Sequence, residues 1–309
     1  MLQSRVRIKQ GYALTKIKVW FHAIRPFTLS AAVVPVLVGS ALAFRDGTID
    51  AFRFILVLIA CLLVQITTNL VDEYSDHSRP EGGQKILASH KVIALGRLTG
   101  KAVKVGALIC FCTAAAIGIY LIYAAGLPVL YLCLASAAAA YFYSAGPLPL
   151  GKIGLGQPLV FVFMGIVMVS GSYYVQTGFF TLDAVLLSLP VGFTVTAILA
   201  ANDIRDMEED RATGKISVVT KFGRRFAWGE YLFIVAAALL VVIGLVAAGT
   251  LELPALIVLL AVPQAVSALR ILWKGKSRQE LALGVPATSS LHWYFGVLLT
   301  AGILLGQII

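Results

Sequence analysis

The sequence predicts an all-α, polytopic membrane protein of about nine transmembrane helices, and three observations carry that reading. Of the 309 residues, 59% are hydrophobic and only 13% charged, against roughly 25% charged residues in a soluble domain. Apolar stretches long enough to cross about 30 Å of hydrocarbon, which takes about 20 helical residues each, recur along the whole chain. The alternating apolar and polar segments of a transmembrane β-barrel are absent, so helices must satisfy the backbone in lipid.

In chain order, residues 1–26 form a basic N-terminal segment carrying Arg5, Arg7, Lys9, Lys16 and Lys18. It has no apolar core followed by a small-residue cleavage site, which fits a segment lying on the membrane surface better than a cleaved signal. Residues 27–309 read as one transmembrane domain, with spans expected at 27–44, 51–71, 103–125, 127–144, 155–176, 181–202, 228–248, 253–272 and 288–308. Long charged loops follow the second span (72–102) and the sixth (203–227), whereas the connections on the other side are short and nearly uncharged. With the N-terminus placed in the cytoplasm, every Lys and Arg except Arg45 and Arg53 falls on the cytoplasmic side, the asymmetry that sets membrane orientation. That orientation accounts for the net charge of +10 without any nucleic-acid partner. It also puts both long loops, and with them any active site, on the cytoplasmic side of the cell (inner) membrane. The cysteines, Cys61, Cys110, Cys112 and Cys133, all fall within spans, without metal-ligand spacing, and read as small apolar residues.

Nine of the 15 acidic residues crowd into two places, at the ends of the second and sixth spans. The first cluster runs from Asn69 through Asp72, Glu73 and Asp76 to Glu81, and the second from Asn202 through Asp203, Arg205, Asp206, Glu208 and Glu209 to Asp210. On a helix, residues four apart share a face, so Asp72 sits above Asp76 and Asp206 above Asp210, with Asn69 and Asn202 about one turn earlier. Like charges at that spacing repel, and the negative end of the helix dipole adds to the repulsion, so the repetition asks for a cation. Carboxylate and amide oxygens are hard ligands suited to Mg2+, which binds through one or two carboxylates together with substrate phosphate oxygens. Two such clusters form a clamp for a metal-bridged diphosphate, and Lys85, Lys91, Arg205, Arg211 and Lys215 are placed to bind its oxygens. The plain alternative is a set of solvated carboxylates balanced by neighbouring Lys and Arg, and Glu208 and Glu209 fit that description. Tyr143 is either an aromatic face for a cationic centre or a residue of the interfacial belt.

These motifs resemble the UbiA superfamily of membrane prenyltransferases, and within it the MenA type. Four stretches carry the likeness: Arg25-Pro26 through Gly39; Asn69 to Asp76; Tyr143 through Gly154 and Gly156 to Gly178; and Asn202 to Lys215. The resemblance implies a UbiA-like helical bundle and a Mg2+-dependent transfer of a polyprenyl group from polyprenyl diphosphate to an aromatic acid acceptor. For the MenA type the acceptor is 1,4-dihydroxy-2-naphthoate, giving demethylmenaquinone. By matching position it assigns Asp72, Asp76, Asp206 and Asp210 to the metal and diphosphate, with Asn69, Glu73, Asn202 and Asp203 in the same shell and Lys152 as a basic residue of the site. The sequence departs from the MenA pattern at Gln157, where an acidic residue is expected, and in the loop carrying Lys85. Other acceptors of the superfamily, 4-hydroxybenzoate or homogentisate, therefore stay open. From another class, a membrane transporter also uses ionisable residues at helix ends, but it should place some near the midplane.

Overall fold

The structure is a computed structural model that describes residues 15–78, 91–144 and 149–308. Among the described residues there are helices and no strand. The chain divides into two compact units, residues 1–26 with 66–111, and residues 27–65 with 112–309. Among the described residues eight helices are long and apolar enough to cross a membrane, and the stretch expected at 127–144 is a shorter apolar helix, Leu127–Tyr143.

The first unit forms around a small apolar core. Helix α1 (Lys16–Ala23) turns Val19 and Ala23, one turn apart, toward Leu70 of α3 (Ala51–Ser78) and toward Val103 and Ala107 of α4 (Gly100–Ala125). Gly106 allows this approach, because a Cβ there would stand 2.8 Å from the ring of Trp20. The opposite face of α1 leaves Ile17 and Phe21 exposed beside Lys16 and Lys18. Such a face suits the headgroup region.

The second unit is organised by α8 (Leu182–Ala212), a 31-residue helix that spans about 46 Å at 1.5 Å per residue. Packed against it are α2 (Ser30–Arg45), α7 (Met168–Thr177), α10 (Arg224–Ala247) and α13 (Gly284–Leu305). Lipid tails are as apolar as side chains, so helices in a bilayer associate through close packing of small residues. The clearest case is Gly165, in the π-helical turn Phe161–Val167 that joins α6 (Gly156–Val160) to α7. A Cβ on Gly165 would lie 2.4 Å from the Cα of Gly192 on α8. At the α2 end of this unit Arg45 donates to Asp183 (3.0 Å), to Asp46 (3.1 Å) and to the Thr250 carbonyl (2.7 Å). This ties the start of α8 at the end remote from its acidic motif.

Two helices run past the points at which hydropathy ends them. Helix α3 continues to Ser78 and α8 to Ala212, so 72–78 and 203–212 are helical where charged loops were expected. Apolarity marks where the chain leaves hydrocarbon, while helix termination needs a breaker. None occurs after residue 202 until Gly214, which takes φ 71°. The expected sixth loop also contains α9 (Val218–Phe222), started by a Ser217–Thr220 capping box.

Candidate active site

The end of α8 is closed by a turn that reverses the chain. Lys215 donates its backbone N–H to the Asp210 carbonyl (2.9 Å), and Ile216 donates to the Lys152 carbonyl (2.7 Å), docking 214–217 on 150–154. The reversal carries the Lys215 ammonium back along α8. Its Nζ lies 2.8 Å from Asp203 Oδ1 and 2.7 Å from Asp210 Oδ2. The two carboxylates are two turns apart on one face, and both are buried. Burial pulls the ammonium pKa down, but Asp203 and Asp210 outweigh it, and the net effect is a Lys215 pKa well above the ordinary value.

Asp206 faces a different set of partners. It accepts from its neighbour Arg205 and from Arg278 of α12 (Arg278–Ala282), the latter at 2.7 Å, and Arg278 also reaches Glu209 at 2.6 Å. The second motif thus holds two charge clusters rather than one shared Asp206–Asp210 face. Arg278 stands about 70 residues further along the chain, and no local spacing announces it. Asn202 is half-buried, and Arg211 and Lys152 are exposed.

Beside the Asp203–Lys215–Asp210 clasp lies a cavity of about 400 Å³ in the second unit. Tyr143, Phe161, Phe193 and Phe233 give it aromatic walls, and Thr196 with Gln157, Asp203, Lys215 and Glu230 gives it polar ones. The Tyr143 ring packs on Gly151, where a Cβ would sit 3.0 Å from it. Asp203, Lys215 and Tyr143 are therefore the expected site residues that reach the cavity. Gln157 Nε2 stands 3.5 Å from both Asp203 Oδ2 and Glu230 Oε2. Glu230 was not among the expected residues. Its signal was a lone carboxylate inside an otherwise apolar span, an arrangement that by default marks function.

The first motif, in the first unit, is arranged by itself. Asn69 Nδ2 donates to the Ile24 carbonyl at 2.7 Å, bracing a turn in which Arg25 has φ 52°, uncommon for a residue with a Cβ. Arg25 reaches Asp72 at 3.8 Å. Glu73 is buried, accepts the Ile93 N–H at 3.0 Å and pairs with Lys91 at 3.7 Å. Lys85 lies outside the described residues, as does the side chain of Asp76.

The model of the UbiA prenyltransferase family matches residues 32–285. The chain belongs to that family. It is accordingly a membrane prenyltransferase, a transferase, and the motif-based resemblance of its sequence and fold to UbiA proteins is borne out. One UbiA relative, a 1,4-dihydroxy-2-naphthoate octaprenyltransferase from Bacillus subtilis (strain 168), is 30% identical over 93% of this chain and 93% of its own. Among solved structures, an apo UbiA homologue from Aeropyrum pernix K1 superposes with a TM-score of 0.66 at 20% identity, over 91% of this chain and 98% of that one. A UbiA homologue from Archaeoglobus fulgidus bound to DMAPP and Mg2+ gives 0.57 at 12% identity, over 91% and 98%. Both likenesses establish the UbiA fold.

Proposed function

We propose that this UbiA-family enzyme transfers a polyprenyl group from polyprenyl diphosphate to 1,4-dihydroxy-2-naphthoate, in a Mg2+-dependent reaction on the cytoplasmic side of the cell membrane. The observation that carries the reading is the Asp203–Lys215–Asp210 clasp at the mouth of an aromatic-walled cavity. The Lys215 ammonium bridging the two carboxylates supports the reading of that pair as a place for positive charge. The naphthoate acceptor is supported by the Bacillus subtilis relative, and Mg2+ with an allylic diphosphate by the Archaeoglobus fulgidus homologue. Lysine and arginine gathered on one side supports the cytoplasmic placement.

The donor set fits magnesium. Asp203 and Asp210 offer hard carboxylate oxygens, and an ion held there would draw the rest of its shell from phosphate oxygens and water. Within the second unit Asp203 and Asp210 are the oxygen donors proposed to hold it, with Asn202 and Asp206 of the same motif, while Asn69, Asp72 and Asp76 are assigned to metal by the resemblance of the first motif alone. Bound Mg2+ would neutralise the charge that gathers on diphosphate as the allylic C–O bond breaks. The protein does the rest with its own side chains. Lys215, Arg205 and Arg211 of the second motif, with Lys152, are proposed to supply N–H donors to phosphate oxygens, and Lys85 and Lys91 are given that role from their place in the sequence alone. The faces of Tyr143, Phe161, Phe193 and Phe233 shelter the allylic cation from water and favour it through their quadrupoles until the ring carbon of the acceptor attacks.

Gln157, at a position where an acidic residue is expected in the MenA pattern, keeps a second acceptor within the same chemistry open, 4-hydroxybenzoate or homogentisate. Membranes carrying the chain, given labelled polyprenyl diphosphate, Mg2+ and each acid in turn, separate these readings. Labelled lipid-soluble product is expected with dihydroxynaphthoate, and it should vanish with EDTA and in Asp206→Ala. Product with 4-hydroxybenzoate or homogentisate in its place would move the assignment, and absence of product with all three would end it.

A further inference from the structure

Glu230 poses a problem that the diphosphate chemistry does not absorb. It stands in the second turn of α10, within a span of membrane-crossing length, and points into the aromatic-walled cavity. Among the described residues no Lys, Arg or His pairs with it, and its one hydrogen bond comes from Gln157 Nε2 at 3.5 Å, the outer limit for such a contact. Gln157 is divided equally between Glu230 and Asp203. A carboxylate in an apolar span with so little compensation is costly and is kept where it meets a ligand. Thr196 Oγ1, on α8 and also in the cavity lining, is buried and without a hydrogen-bond partner. The cavity therefore carries more polar capacity than its own residues use.

The ligand that fits is defined by sign and shape. Four aromatic walls suit a flat ring; Asp203 is already paired with Lys215, whereas Glu230 has no counter-charge and repels an anionic group brought against it. What a lone carboxylate receives well is an O–H donor. Resting on the prenyl-transfer reading above, we propose that Glu230 is the specificity residue for the acceptor. Its carboxylate accepts the O–H of a ring hydroxyl, Gln157 positions that carboxylate, and the acceptor's own acid group is turned away from α10. The acidic group absent at position 157 is thus supplied from a different helix. Phenolic acids are received hydroxyl-first, and aromatic acids without a hydroxyl are rejected.

The test uses the purified full chain in detergent, with the acceptor titrated at saturating polyprenyl diphosphate and the reverse. Glu230→Leu, which removes the acceptor oxygens, is expected to raise the KM for acceptor roughly tenfold or more, the usual effect of losing a hydrogen bond to a charged group, and Glu230→Gln, which keeps a neutral acceptor oxygen, to raise it by a smaller factor. The KM for diphosphate should stay within about twofold of wild type, and Glu230→Asp should recover part of the loss. As a competitive inhibitor of the wild type, an acceptor analogue lacking the hydroxyl should bind more weakly by roughly tenfold or more, and Glu230→Leu should scarcely distinguish the two ligands. An unchanged acceptor KM in Glu230→Leu, or a parallel rise for both substrates, would overturn the proposal. So would a wild type that binds the hydroxyl-free analogue as well as the acceptor, a comparison that decides the matter even if the variant fails to fold. Turnover by wild type with a Glu230→Leu variant indistinguishable from it removes this inference alone, whereas a wild type without turnover on any acceptor removes the prenyl-transfer reading as well.

Discussion

Lys215→Met removes the ammonium of the clasp while keeping much of the side chain's apolar stem. In the wild type that ammonium touches Asp203 and Asp210 at 2.8 and 2.7 Å. Its loss leaves two buried carboxylates two turns apart on one helix face with no counter-charge. Breaking a fully buried pair costs about 3–5 kcal/mol. The Lys215 side chain is 24% exposed, so water recovers part of this and about 2 kcal/mol is expected, or roughly 5 °C in Tm. The assay is thermal unfolding of the detergent-solubilised chain without and with added Mg2+. Because the variant presents two carboxylates to one vacated cation position, Mg2+ should raise its Tm more than that of the wild type, by mass action on the folded state. The pH dependence has a definite sign. The folded Lys215 pKa lies above the ordinary 10.5, so the stability it contributes is fully present below that value and is lost only as pH rises through the folded one. The gap between wild type and variant should therefore be flat between about pH 6 and 9 and narrow only in strong alkali. A variant as stable as wild type, or one whose deficit Mg2+ leaves untouched, would refute the clasp as a cation-binding pair.

Two further perturbations probe the packing and the second charge cluster. Gly165→Ala places a methyl 2.4 Å from the Gly192 backbone, which no side-chain rotation can relieve. It should cost about 1–3 kcal/mol and lower activity with it, since Phe161 and Phe193 beside this contact line the cavity; unfolding midpoint and turnover measured together check this. A double-mutant cycle of Arg278→Gln with Asp206→Asn should show a coupling of about 1 kcal/mol in thermal stability, and strict additivity would mean that the 2.7 Å pair contributes nothing.

Much of the fold was legible because its determinants are contiguous. A span such as 228–248 is a run of apolar residues, and α10 (Arg224–Ala247) lies where that run is. The ends of α3 and α8 were not legible, because hydropathy falls at residues 72 and 203 while the backbone meets no breaker for several more residues. The two acidic motifs stood out as local clusters, but the partners of their carboxylates did not. Pairing Asp203 with Lys215 depends on the reversal at Gly214, and pairing Asp206 with Arg278 depends on where α12 returns. Glu230 was visible as an isolated carboxylate in an apolar run, yet only the folded cavity sets it beside Gln157.

Metal and diphosphate are proposed to meet at the clasp by the cavity. The most direct measurement is equilibrium binding of a labelled, non-ionising thiolo-diphosphate analogue of the prenyl substrate to purified wild type and to Asp203→Asn/Asp210→Asn, with Mg2+ titrated. Wild-type binding should require Mg2+ and fall roughly tenfold or more in the double variant, with the analogue displaced by inorganic diphosphate. Binding of equal strength in both proteins, or binding indifferent to Mg2+, would contradict that placement.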